Sequence, residues 1–181
     1  MLDLETLDTR HSAVVLSIGA TSFDTESLKI NDTFYVELTN DIAAQEKVYR
    51  TISGSTVKWW MQQDVMARRV FADPGENRVT TLEGLSQFKQ FVDAQGRDTR
   101  IWGNGADFDN IILGTLYEDM GMTTPWSYGK NRCFRTLKNL GLPRNYVAPG
   151  KTGTAHNALD DAIYQTHCLL EIARCVPLSL G

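Results

Sequence analysis

The sequence predicts an α/β domain in which a mixed β-sheet is flanked by helices, and three observations support this fold class. Segments near the N-terminus have the two-residue period of strands, most later segments have the 3.6-residue period of helices, and one short apolar segment lies among those helices. Strands followed by helices that alternate with a further strand are typical of layered α/β folds. The 181 residues, 42% of them hydrophobic, can bury one sizeable core. We therefore expect a single domain over residues 1–181.

Three strands are predicted at the start of the chain. The opening segment MLDLET is followed by AVVLSIGA (13–20), which is apolar and rich in β-branched residues, as in a strand buried on both faces. TFYVEL (33–38) alternates apolar and polar residues, as in a half-exposed strand. Because polar links join the three segments, we expect antiparallel neighbours. Only Met1 and Leu2 precede Asp3, so we also expect the natural chain to extend a few residues upstream, unless it was trimmed there.

Two helices are predicted next in the chain. STVKWWMQQD (55–64) is predicted to begin with Ser55 as its N-cap. TTLEGLSQFKQFV (80–92) begins with a T-x-x-E capping box, from Thr80 to Glu83. The apolar stripe of this second helix comprises Leu82, Leu85, Phe88, Phe91 and Val92.

The second half of the chain contains one predicted strand and three predicted helices. The strand TRIWG (99–103) precedes a helix through DNIILGTLYEDM (109–120), which stops at Gly121. NRCFRTLKNL (131–140) is predicted as a short helix, and NALDDAIYQTHCLLEIARCV (157–176) as the longest one. Gly141 and Pro143 end the short helix.

Composition restricts the setting in which the protein works. No apolar segment reaches the length that spans a bilayer, and the N-terminus lacks the pattern of a signal peptide, so we expect a cytoplasmic protein. The three cysteines, Cys133, Cys168 and Cys175, form no C-x-x-C pair, which argues against a disulfide framework or a structural zinc site. We expect them to be ordinary buried thiols.

The net charge of −4 disfavours a nucleic-acid partner, but the charges are unevenly distributed. Residues 120–159 include no Asp or Glu, and their cations are Lys130, Arg132, Arg135, Lys138, Arg144 and Lys151. This basic window is either a track for a nucleic-acid backbone or a solvated face. Trp59 and Trp60 cannot face the same way on a helix. We expect one in the core and the other stacked on a base or in a dimer interface, unless both are core residues.

Carboxylates occur at two predicted strand positions. Asp3 and Glu5 are two residues apart, so they share one face of their strand. Their repulsion indicates either a solvated strand edge or a cation between them. Asp109 follows the strand 99–103, at the kind of strand end where α/β sheets place ligands, with Phe108 packed beneath it. Alternatively, Asp107 and Asp109 only cap the following helix.

The segment AHNALDDA (155–162) combines a histidine with a carboxylate at a helix start. Asn157 is predicted as the N-cap, which puts Asp161 in the first helical turn and His156 in the preceding loop. Asp160 is expected to face solvent, because adjacent helical positions point about 100° apart.

MLDLET, GNGADFDN and AHNALDDA, in this order and at these separations, resemble the three motifs of the DEDDh 3'–5' exonucleases, which have a ribonuclease H-like fold. STVKWWMQQD and NRCFRTL are similar to the small exoribonuclease branch represented by RNase AS and to the T-even phage exonuclease A. The resemblance implies that Asp3, Glu5, Asp109 and Asp161 bind metal and that His156 is the general base. Two divalent cations, Mg²⁺ or Mn²⁺, suit such oxygen ligands and this hydrolysis.

The resemblance further implies a 3'–5' exonuclease acting on single-stranded nucleic acid, with RNA slightly favoured over DNA, and a homodimer. A phage-type DNA exonuclease, a catalytically silent binding module and a ribonuclease H-type endonuclease are the alternatives. The loop before His156 contains Gly150 and Gly153, so we expect His156 to close over the site only when substrate is bound. The residues expected to contact nucleic acid are Trp59, Trp60, Phe108, Arg132, Arg135 and Lys151.

Overall fold

The computed structural model describes residues 1–72, 78–142 and 144–175. The strands in these ranges are β1 (Leu2–Thr6), β2 (Val15–Asp24), β3 (Lys29–Glu37), β4 (Ile101–Gly103) and β5 (Asn131–Cys133). The helices are α1 (Ile42–Lys47), α2 (Gly54–Met61), α3 (Thr81–Ala94), α4 (Asp109–Asp119), α5 (Phe134–Asn139) and α6 (Ala158–Cys175).

The five strands form one mixed sheet in the order β3-β2-β1-β4-β5. β1 pairs antiparallel with β2, and β2 pairs antiparallel with β3, which confirms the three consecutive antiparallel strands. β1 also pairs with β4 in parallel, and β4 pairs in parallel with β5. The carboxyl ends of β1, β4 and β5 therefore lie at the same edge of the sheet.

Apolar layers cover both faces of the sheet, and alternate strand residues divide between them. Ile18 of β2 and Ile101 of β4 belong to the layer that contains α3 and α4. Trp102 belongs to the layer that contains α5 and α6. Gly19 contacts the first residue of α6, Ala158. The predicted fold class, a mixed sheet flanked by helices, is confirmed.

The two predicted helices in the middle of the chain form, with differences at particular residues. α2 begins at Gly54 with Ser53 as N-cap, so the predicted cap at Ser55 was wrong. Thr80 caps α3, and its hydroxyl accepts a hydrogen bond from the Glu83 N–H at 3.3 Å, as predicted. Leu82 is exposed and does not join the apolar stripe, because the helix turns it away from the sheet.

The segment 131–140 is a strand and a helix instead of one helix. Asn131–Cys133 forms β5, which pairs with β4, and only Phe134–Asn139 is helical. Pro143, predicted to end this helix, lies outside the described residues, as does Val176 at the end of the predicted last helix.

The described part of the chain has three free cysteines, of which Cys168 is buried, and Cys133 and Cys175 are half-buried. Among the residues that the structure describes, no helix combines the length and the apolar character needed to cross a membrane.

A cleft lies at the N-terminal end of β1, next to Met1. The α-amino group of Met1 is buried and donates a hydrogen bond to the Thr21 carbonyl oxygen at 2.7 Å. Beyond this point β2 continues to Asp24, while β4 begins at Ile101 on the other side of β1. The cleft has a volume of about 810 Å³ and is lined by both segments. The expected upstream residues stay a prediction.

Candidate active site

The two carboxylates of β1 lie on the face of the sheet that α6 covers. Leu2 and Leu4 belong to the apolar layer on the other face, so the strand alternation directs Asp3 and Glu5 towards α6. Asp3 Oδ1 accepts a hydrogen bond from Gln165 Nε2 of α6 at 2.7 Å. Glu5 is only 7% exposed, so the solvated strand edge was the wrong alternative.

Gly19 allows α6 to approach this face closely. It pairs with Asp3 across the β1–β2 ladder, and a Cβ at this position would overlap the backbone of Ala158. A larger residue would push the first turn of α6 away from β1. Because Gly19 has no side chain, the first turn of α6 packs close to β1, and Asp161 in that turn lies near the β1 carboxylates.

Asp109, the first residue of α4, is buried and directed at β1. It is 3% exposed, and its Oδ1 accepts a hydrogen bond from the Leu4 N–H at 3.3 Å. The N-cap position of α4 is Phe108, with no capping side-chain hydrogen bond. Neither Asp107 nor Asp109 is therefore the N-cap, and the capping alternative was wrong.

The N-terminus of α6 places His156 and Asp161 together. Asn157 Oδ1 accepts hydrogen bonds from the Leu159 and Asp160 N–H groups, both at 3.1 Å, as expected of the N-cap. The His156 N–H donates to Asp161 Oδ2 at 3.1 Å. His156 has a φ of 62°, in the left-handed region that non-glycine residues rarely adopt.

These residues form a cluster with donor atoms suited to a metal ion. One ligand atom each from Glu5, His156 and Asp161 lie within 4.8 Å of one another. Asp3 lies on the same strand face as Glu5, and Asp109 accepts its hydrogen bond from Leu4 of that strand, so both lie next to this cluster. Carboxylate oxygens are the ligands that Mg²⁺ and Mn²⁺ prefer, so the residues present fit a hard divalent cation.

The electrostatics of the cluster agree with a site built for positive charge. Burial, reinforced by the negative charges of Asp161 and Asp109, raises the pKa of Glu5 to about 8. Burial raises the pKa of Asp109 to about 7. Burial and the charges of Asp109, Glu5 and Asp161 raise the pKa of Asp3 well above its ordinary value. A bound cation would relieve this repulsion.

The two adjacent tryptophans separate as expected, one into the core and one to the surface. Trp60 is 3% exposed, and its Nε1 donates to the Thr6 carbonyl oxygen at 2.9 Å. Trp59 is 40% exposed, and its ring meets that of His156 edge to face, with centroids 4.8 Å apart. Phe71, also exposed, contacts the other tryptophan, Trp60.

The other residues expected to contact nucleic acid differ in position. Arg135 contacts Gly105 in the loop after β4, and Phe108 packs against the core below that loop. Arg132 Nη1 instead donates to the Gly129 and Asn131 carbonyl oxygens at the start of β5, at the opposite end from this loop. Arg132 is thus held away from the cluster.

Two features of the α6 N-terminus were not expected from sequence. Asp160 does not simply face solvent, because its Oδ2 accepts a hydrogen bond from the Thr154 N–H at 2.7 Å. Lys151 Nζ lies 2.5 Å from Asp161 Oδ1. Gln165, which holds Asp3, was also missed, although its position four residues after Asp161 on the same helix face was a usable signal.

The sheet order and the flanking helices define the chain as an α/β domain consistent with a ribonuclease H-like fold. The chain belongs to the Rv2179c-like 3'–5' exoribonuclease domain family, whose model matches residues 1–173. This agrees with the resemblance to small exoribonucleases seen in the motifs.

Known proteins that are similar to the chain include a phage enzyme and a nuclease of solved structure. An exodeoxyribonuclease of Enterobacteria phage T4 is 28% identical over an alignment of 129 residues, and the match covers 66% of this chain and 56% of that protein. The crystal structure of cell-death related nuclease 4 (CRN-4) superposes with a TM-score of 0.52 at 14% identity, covering 96% of this chain and 62% of that one. The chain thus spans less than two thirds of the length of either protein.

Proposed function

We propose that the chain is a metal-dependent 3'–5' exonuclease that hydrolyses single-stranded nucleic acid from its 3' end, with RNA slightly favoured. The observation that carries the proposal is the meeting of Glu5, His156 and Asp161 within 4.8 Å, next to the buried Asp109. The family match supports the same reaction.

In this proposal Asp3, Glu5, Asp109 and Asp161 hold two divalent cations, Mg²⁺ or Mn²⁺. When bound, such ions stabilise the charge on the attacking and leaving oxygens of phosphodiester hydrolysis. Gln165 fixes the carboxylate of Asp3 through its 2.7 Å hydrogen bond. The Leu4 N–H likewise orients Asp109. The carboxylates are therefore oriented before any cation arrives.

His156 is the general base in this proposal. An unperturbed imidazole changes its charge near pH 6.5, so its neutral form can accept a proton from the attacking water near neutral pH. The imidazole contacts the ring of Trp59, one of its nitrogens lies within 4.8 Å of ligand atoms of Glu5 and Asp161, and the backbone N–H of His156 is hydrogen-bonded to Asp161. The expected closure of its loop on substrate stays a prediction.

The exposed ring of Trp59 supplies a surface for the 3'-terminal base beside His156. Stacking of a base on such a ring contributes about 1 to 3 kcal/mol. In this proposal Arg135, whose guanidinium group lies near Gly105 in the loop after β4, contacts a substrate phosphate. A homodimer and a cytoplasmic location complete the proposal; light scattering in solution tests the former.

DNA is the second candidate substrate, because the similar phage T4 protein is an exodeoxyribonuclease. A time course on 5'-labelled single-stranded RNA and DNA of the same sequence, with Mg²⁺ or Mn²⁺, tests the activity and ranks the two. We expect a ladder that shortens from the 3' end and is lost in Asp161→Asn. Cleavage of a circular strand would indicate an endonuclease, and no cleavage by the folded protein would favour a silent binding module.

The role of His156 needs a variant that tolerates its backbone. Asn adopts the left-handed region more readily than Ala, so His156→Asn removes the base with less strain. We expect His156→Asn to lose most turnover while Mn²⁺ binding persists. Loss of Mn²⁺ binding together with turnover would make His156 a metal ligand instead of the base.

A further inference from the structure

Lys151 occupies the acidic cluster with its ammonium group. Its Nζ lies 2.5 Å from Asp161 Oδ1, and the negative charge of Glu5 is close enough that Lys151 opposes the rise in the pKa of Glu5. The side chain passes over the ring of Tyr164, with Nζ 5.7 Å from the centroid. A protein cation therefore sits on an oxygen that the proposed function assigns to metal binding.

The loop from Lys151 to His156 is tied to two adjacent carboxylates of α6. At one end Lys151 pairs with Asp161 Oδ1, and at the other end the His156 N–H bonds Asp161 Oδ2. In between, the Thr154 N–H bonds Asp160. Gly153, with a φ of 83°, packs so closely on the Asp160 carboxyl group that a Cβ would overlap it. These two carboxylates thus make three polar contacts with the loop, and of the three only the one from Lys151 depends on Asp161 Oδ1.

We propose that Lys151 is the resident counter-ion of Asp161 and competes with the divalent cation for that carboxylate. This inference rests on the proposed function, because it concerns the same metal site. An ammonium group and a divalent cation at contact distance from one oxygen repel each other, so each weakens the binding of the other. In this proposal Lys151 therefore leaves Asp161 Oδ1 when the site is loaded, while the Thr154 and His156 attachments remain.

Two consequences follow for the site. Lys151 lowers the affinity for the cation that Asp161 binds, since part of the binding free energy is spent on breaking the ion pair. Loading also releases the Lys151 end of the loop without releasing His156, so the histidine stays beside the cluster. The freed ammonium group is then available to the substrate phosphate.

Direct Mn²⁺ binding tests the competition without any measurement of activity. Free Mn²⁺ is followed by electron paramagnetic resonance at fixed ionic strength in the wild type, Lys151→Met, Lys151→Arg and Lys130→Met. Lys130 is the matched control, because it pairs with Asp98 at 2.9 Å, outside the cluster. A partly exposed ion pair is worth up to about 1 kcal/mol, so we expect Lys151→Met to bind Mn²⁺ roughly three- to fivefold more tightly. Lys151→Arg and Lys130→Met should stay close to the wild type.

The outcomes separate this inference from the proposed function. Equal Mn²⁺ affinity of wild type and Lys151→Met, or equal tightening in Lys130→Met, overturns the competition and leaves the proposed function standing. No saturable Mn²⁺ binding by any of the four proteins overturns both. Thermal melts confirm folding, and hydrogen exchange supplies a second readout. Mn²⁺ should accelerate exchange at 151–153 in the wild type but leave it unchanged in Lys151→Met.

Discussion

Asp109→Asn should stabilise the protein in the absence of divalent metal. Asp109 is 3% exposed, and burial raises its pKa from 3.8 to about 7. Asn has nearly the same shape and keeps an oxygen to accept the Leu4 N–H, but it carries no charge. The substitution therefore removes the cost of a buried carboxylate without opening a cavity.

The effect should depend on pH with a defined sign. Between pH 4 and 7 the folded protein keeps the Asp109 proton that the unfolded chain has already released. Unfolding therefore releases a proton, and the stability of the wild type falls as pH rises through this window. A shift of about three pKa units corresponds to about 4 kcal/mol above pH 7. Roughly 2 to 3 kcal/mol of this develops between pH 5 and 8.

Urea unfolding with EDTA at pH 5 and pH 8 measures this difference. We expect the advantage of Asp109→Asn over the wild type to grow with pH, and to shrink or reverse with saturating Mn²⁺, because the cation stabilises only the protein that binds it well. A difference in unfolding free energy that is the same at both pH values would refute the reasoning. Asp98→Asn is the matched control, because Asp98 is exposed and lies outside the cluster.

Three further predictions concern stability. Arg50→Met should lower the free energy of unfolding by about 3 kcal/mol in urea, because it breaks the ion pair with Asp119 at 3.0 Å and leaves the Ala13 and Ile112 carbonyl oxygens without the donors that the guanidinium supplies; a loss below 1 kcal/mol would contradict this. Trp60→Phe should cost about 1 kcal/mol in the same assay by deleting the hydrogen bond to Thr6, and no loss would show that this bond adds nothing. Four β-branched residues added ahead of Met1 should enter the cleft between β2 and β4 and raise the melting temperature by about 4 °C. A Gly-Ser extension of equal length is the control, and it should leave the melting temperature unchanged.

Local patterns predicted most of the sheet and helices. Alternation identified β3, a run of apolar β-branched residues identified β2, and the short polar links predicted β1, β2 and β3 to be antiparallel neighbours, as they are. Capping residues located the start of α3 at Thr80 and of α6 at Asn157, because a cap side chain bonds N–H groups only two or three residues ahead. These interactions are short in sequence, so residue order alone specifies them.

The three-residue strand β5 could not be predicted in the same way. Asn131–Cys133 is too short to show a period, and its partner, β4, lies thirty residues earlier in register. The apolar residues that follow favour a helix over the whole segment, but residues 131–133 pair with β4 and form a strand. Ser53, and not the predicted Ser55, is the N-cap of α2; both residue types suit that position, and the two hydroxyl groups hydrogen-bond each other at 2.7 Å.

The sequence by itself determined which residue types could form the site: Asp3 and Glu5 on one strand face, and His156 and Asp161 around one helix start. Only the tertiary structure decided which other side chains reach them. Lys151 lies on Asp161, and Arg132 is turned to the far end of β5. The reason is that such contacts depend on how closely α6 approaches β1, and that distance is set by packing across the sheet.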